Sequence, residues 1–163
     1  MNDTPKTFVA TADRTVTGLE FLQKIAAGEY ANVPIGDLLG FRVTGVEKGR
    51  VTLAGRPDER SYNLLRSVHG GWTAAILDTA MALANLTLLA ADQTFTTLDI
   101  RINYLRPITM ATGEVRAEGK VLQGGRRIAY CEARLVDPAG KLLAHGTGSC
   151  LVIPRSELPK RDA

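Results

Sequence analysis

Aromatic residues are scarce in this chain of 163 residues, at 6%, and one Trp, four Tyr and four Phe are all it has. The basic residues are not interleaved with them, as a nucleic-acid-binding surface would require. Charge is also close to balanced, with 20 Lys and Arg against 17 Asp and Glu for a net +3. That balance excludes a strongly basic polymer-binding face and suits a small phosphorylated ligand better. Cysteine is nearly absent: Cys131 and Cys150 show neither metal spacing nor a disulfide framework. They read as reduced core thiols in a cytoplasmic protein. The opening MNDTPKTFVATADRT lacks the basic-then-apolar pattern of a secretion signal. No cluster of potential metal ligands stands out.

Long apolar runs are equally rare, and the one exception organises the rest. From Gly70 to Ala91 the chain has no Pro and a single ionisable residue, Asp78. Ala, Leu, Ile and Met dominate it, which favours helix. The apolar positions go all the way round, so the helix is buried on every side or sits in a membrane. Asp78, Asn85 and three threonines, with strand-like segments following, argue for burial, because a carboxylate is costly in lipid.

The remaining pattern is that of one domain over 17–153, between a loose arm, 1–16, and a polar tail, 154–163. Thr17 and Glu20 have the spacing of a capping box, with Leu19, Leu22 and Ile25 on one side of the helix that follows. Ile35–Leu39 reads as a further helical turn. Phe41–Glu47 and Arg50–Arg56 read as a hairpin about Lys48-Gly49. After the long helix the period changes to two. Leu98, Ile100, Ile102 and Tyr104 alternate with Thr97, Asp99, Arg101 and Asn103. Segments 114–123, 126–136 and 141–153 continue as an antiparallel meander with tight turns. The order is α+β. A helix apolar all round needs a curved sheet wrapped about it, and a second copy of the chain is the simplest cover for what the sheet leaves open.

Four residues in and before the long helix can carry chemistry. Asp78 is either a satisfied buried carboxylate or one whose basicity is set by dry surroundings. The His69-Gly70-Gly71 turn is a plain loop-to-helix junction or a place where the Gly70 N–H meets a developing oxyanion. Asn63 is a turn residue or an orienting amide. Taken together, N-x5-HGG-x5-LDTAMALA resembles the PaaI-like thioesterases of the hotdog superfamily, relatives of 4-hydroxybenzoyl-CoA thioesterase. The resemblance runs from about Gly18 to Val152 and includes DLLGF, TTLDIRINYLRPI, GRRIAYCEARLVD and AHGTGSCLV.

This resemblance implies a hotdog fold, in which a curved antiparallel sheet wraps one long central helix and two protomers join sheets edge to edge. It implies an acyl-CoA thioesterase acting on a small aromatic or medium-chain acyl group, as a homodimer or dimer of dimers. Asp78 would be nucleophile or general base, alternatives the sequence does not separate. The Gly70 N–H, with His69 nearby, would polarise the thioester carbonyl, and Asn63 of the other subunit would hold the attacking water or the acyl carbonyl. Thr97 is the matching assisting hydroxyl, with Thr96 its rival. Gly71 and Trp72 would line the substrate, and Arg106, Arg126 and Arg127 are candidates for the coenzyme A phosphates. No cofactor is implied beyond coenzyme A as part of the substrate, and neither nucleic acid nor membrane as partner. Two alternatives are a non-catalytic acyl-CoA sensor on the same fold, and a hotdog hydratase or dehydratase using His69.

Overall fold

The structure, a computed structural model, describes residues 15–158. The predicted arm therefore lies outside the described residues up to position 14, and the predicted tail from 159 onward. Thr17 caps α1 (Gly18–Ala26) with a complete capping box: its hydroxyl accepts from Glu20 N, and the Glu20 carboxylate accepts from Thr17 N. The buried face is Gly18, Phe21, Leu22 and Ile25, at helical spacing, and Leu19 is only half-buried. α2 (Pro34–Leu39) follows. The hairpin β1 (Phe41–Glu47) and β2 (Arg50–Gly55) stands as predicted, one residue shorter.

The long helix, α3 (Gly70–Leu86), ends earlier than the run of apolar residues suggested. Thr87 stops it. Its hydroxyl donates to Ala84 O and accepts from Gly49 N, so the side chain replaces helical bonds with a tie to the β1–β2 turn. After a turn, β3 (Gln93–Tyr104) begins four positions before Thr97 because the last strand offers partners that far. β4 (Val115–Gln123), β5 (Ile128–Val136) and β6 (Leu142–Pro154) form the predicted meander. Residues after β6 are not loose at first: Arg155 donates from N to Asp92 O and from Nε to Ala91 O.

The six strands form one antiparallel sheet in the order β1-β2-β4-β5-β6-β3, which wraps α3. Ile76, Leu77, Ala80, Ala84 and Leu86 of the helix pack with Leu53, Val115, Ala117 and Leu135 of the strands. Sheet and helix backbones come close at Gly119, where a Cβ would lie 2.1 Å from the Ala80 carbonyl oxygen. The atoms it would meet, on Ala80 and Met81, all belong to backbone, so nothing flexible can yield. We expect Gly119→Ala to cost about 3 kcal/mol, the upper range for overpacking. In a chain of this size that lowers Tm by about 6–12 °C. Thermal unfolding measures it, and a Tm unchanged by the methyl group would mean that helix and sheet lie further apart.

Candidate active site

Asp78 is half-buried on the one stripe of α3 that the sheet does not cover, with Gly71, Ala74, Ala75 and Thr79. Its carboxylate is not alone. The Thr97 hydroxyl donates to Asp78 Oδ1 at 2.9 Å. Simple alternation puts Thr97 on the same face as Asp99, Arg101 and Asn103. A bulge at Leu98 breaks that pattern: Thr97 pairs with Cys150, and Asp99 already pairs with Ser149. The extra residue turns Thr97 inward, onto the helix, and leaves Asp99 bonded to the Ser149 hydroxyl. Thr96, its rival, is exposed.

Cys150 and Cys131 lie buried behind this pair as free thiols. Hydrogen bonding to Cys150 and burial push the Cys131 thiol up. Its partner goes the other way, held below the ordinary thiol value by Cys131 against burial and the charges of Asp78 and Asp99. Cys150 is thus a neighbour of the carboxylate that nothing in its local sequence marks.

At the start of α3, His69 is the N-cap, and its Nδ1 accepts from Gly71 N at 2.9 Å. The imidazole must therefore carry its hydrogen on Nε2. That uses the Gly71 N–H. The Gly70 N–H has no partner among the described residues and stands free at the positive end of the helix. Tyr104, which sequence reading did not single out, packs over it: its hydroxyl donates to Gly70 O at 3.1 Å, and a Cβ on Gly70 would lie 3.2 Å from the ring. Only glycine fits beneath that ring without displacement.

Asn63 works within its own loop. Its Oδ1 accepts from Leu65 N and Ser67 N, and its Nδ2 donates to the Ser67 hydroxyl. The loop needs such fastening, because Arg66 is held at φ 58° and Leu64 and Leu65 are fully exposed. One Nδ2 hydrogen remains to face a cavity of about 310 Å³ that Asn63 shares with Gly70, Tyr104, Arg106, Ile108 and Leu143.

The other candidates fall in three places. Arg106 sits at that cavity with Nη1 on Leu142 O at 2.5 Å. Trp72 is buried, and its indole N–H donates to Leu39 O at 2.8 Å, which ties α2 to α3. The ring also backs a surface hollow beside His69 and Tyr62. Arg126 and Arg127 precede β5 rather than opening it, and both are exposed in the β4–β5 turn near the far end of α3. Among the described residues no three His, Cys, Asp or Glu side chains group as a metal centre would require. No helix among them is long and apolar enough to cross a membrane.

Six antiparallel strands in one sheet curved around a single long helix define a hotdog-fold protein. The sequence pattern of the thioesterase superfamily matches residues 65–144. The chain is 30% identical to an Asn-to-Asp mutant of the phenylacetic acid degradation protein PaaI from Thermus thermophilus. The two superpose with a TM-score of 0.66, over 73% of this chain and 98% of that one. The TT0310 protein of the same organism is 31% identical, with TM-score 0.66 over 73% and 97% of the two chains. The PaaI protein of the E. coli phenylacetic acid degradation operon shares the fold at 21% identity, TM-score 0.73, over 84% and 96%. No curated protein sequence matches. The chain belongs to the thioesterase superfamily. Within it, this is a PaaI-like hotdog protein.

Proposed function

We propose that this protein hydrolyses an acyl-CoA thioester, releasing a small aromatic or medium-chain acid and coenzyme A. The observation that carries this reading is the pairing of Asp78 with the Thr97 hydroxyl on an uncovered helix stripe, in a family of thioesterases. Thioester hydrolysis needs an activated water or carboxylate nucleophile and a donor aimed at the developing oxyanion. Asp78 serves as the first. Thr97 fixes which carboxylate oxygen is occupied and leaves the other for water or the carbonyl carbon. The free Gly70 N–H serves as the second, steadied by Tyr104 and by the His69 cap.

These two groups cannot act on one carbonyl within one chain. Eight residues of α3 separate them, about 12 Å along the axis. Both need to lie about 3 Å from the reacting group. A site therefore takes Asp78 and Thr97 from one protomer, and Gly70, His69 and Asn63 from another. The uncovered stripe of α3 and the exposed edge strand β3, with Leu98 and Ile100 unburied, are the surfaces that such a partner would cover. A homodimer then holds two equivalent sites.

The direct test is thiol release from a panel of acyl-CoAs: benzoyl, phenylacetyl, octanoyl and palmitoyl. We expect turnover of one or more of the first three. An absence of release from all four, with protein that still binds coenzyme A, would replace the hydrolase reading with that of a sensor.

A further inference from the structure

The cavity of about 310 Å³ at the start of α3 holds a polar side chain that the fold leaves unsatisfied. Thr73 lies three positions after Gly70, on the same face of the helix, and both line this space. Thr73 is buried, at 3% exposure, yet its hydroxyl has no hydrogen-bond partner among the described residues. Thr79, further along the same helix, satisfies itself by donating to Ala75 O. A buried hydroxyl without a partner is costly, and this one is aimed into a space where a ligand can supply the partner.

Three further donors open on the same space. The Gly70 N–H is free at the positive end of the helix, and Asn63 keeps one Nδ2 hydrogen. Arg106 stands exposed at the rim. Its guanidinium uses one nitrogen, Nη1, on Leu142 O and forms no ion pair among the described residues. Among the described residues that line the cavity, none is acidic. Guanidinium and helix dipole therefore both favour negative charge inside, while Ile108 and Leu143 make the wall apolar.

This pattern suits a short carbon skeleton with an acceptor at each end. The thioester carbonyl at Gly70 is one. The other meets a guanidinium and a hydroxyl, and a carboxylate matches them because its two oxygens fit the planar fork. The sizes agree. A rounded space of this volume is about 8 Å across, with room for about two benzene-sized groups. The carboxyl carbons of an extended six-carbon diacid lie about 6 Å apart, taking three chain bonds as about 3.8 Å.

We propose that this cavity receives the acyl group and selects one carrying a second carboxylate, held by Arg106 and the Thr73 hydroxyl. The inference rests on the thioesterase reading and narrows its product to an acid with two carboxyl groups, aliphatic or aromatic. The pocket belongs to the chain that supplies Gly70.

Two matched pairs of esters test it: adipyl- against hexanoyl-CoA, and 4-carboxybenzoyl- against benzoyl-CoA. In at least one pair, kcat/KM should favour the carboxylated ester by about tenfold or more, the worth of a charge-assisted contact. Arg106→Gln should bring that ratio close to one. Arg106→Lys keeps the charge without the fork and should restore part of it. Thr73→Val keeps the shape, removes the hydroxyl and should also lower the ratio, which decides the matter if Arg106→Gln does not fold. Equal losses for both esters of a pair would mean that Arg106 only fastens the chain to Leu142 or touches coenzyme A, and would overturn the proposal. Parent ratios near one in both pairs overturn it too. Calorimetry on the Asp78→Asn protein with the same esters separates binding from turnover. A preference for the carboxylated ester in a protein that releases no thiol would remove the hydrolase reading and leave the pocket standing. Turnover without preference would do the reverse.

Discussion

Asp78→Asn should lower kcat by about 10² or more, with little change in KM. The amide keeps the volume and can still accept from the Thr97 hydroxyl, so the 2.9 Å contact and the local packing survive. What disappears is the basicity and nucleophilicity of the carboxylate. No other acid can substitute, since Asp78 is the only ionisable residue of α3. Stability should stay close to that of the parent, because the half-buried position exchanges a charge for a neutral amide without opening a cavity. Steady-state thiol release together with thermal unfolding separates the two effects. Activity within a few-fold of the parent would show that Asp78 is a structural partner of Thr97 and that the chemistry lies elsewhere.

Mixing two inactive chains should restore activity. Asn63→Ala and Asp78→Ala homodimers each carry a defect in both sites and should be nearly inert. Unfolded together in equal amounts and refolded, about half the dimers combine one chain of each kind. In such a dimer one site collects both defects and the other collects none. The mixture should regain roughly a quarter of wild-type activity per total protein. Asn63 also fastens its own loop through Leu65 and Ser67. The outcome does not depend on why the Asn63→Ala chain fails, because the intact site takes its Asn63 from the other chain. Dimers confirmed as mixed by mass, yet no more active than the parents, would place Asn63 and Asp78 in one chain. That would contradict the assignment of Asn63, which lines one cavity with Gly70 about 12 Å of helix away from Asp78, to the other chain.

Much of the architecture followed from local pattern alone. Thr17 and Glu20 announced a capping box that forms. The alternation in residues 114–153 announced three strands in a meander, and the uncharged run from Gly70 announced a helix that a sheet must wrap. These are properties of neighbours in sequence: side-chain period, cap chemistry and turn residues act over a few positions.

The site was legible as residue types, not as contacts. Asp78 stood out because it is the only charge on its helix. Its partner was a matter of register. The bulge at Leu98 arises where β3 pairs with β6, more than forty residues later in the chain, and it alone turns Thr97 inward. Tyr104 lies above Gly70 because the end of β3 reaches the start of α3. The end of α3 at Thr87 depends on a bond to Gly49 in a distant turn. The sequence by itself determined which residues could do chemistry and which elements carry them. Only the tertiary structure decided which of them meet, because strand register and helix-to-sheet packing are set by contacts between remote segments.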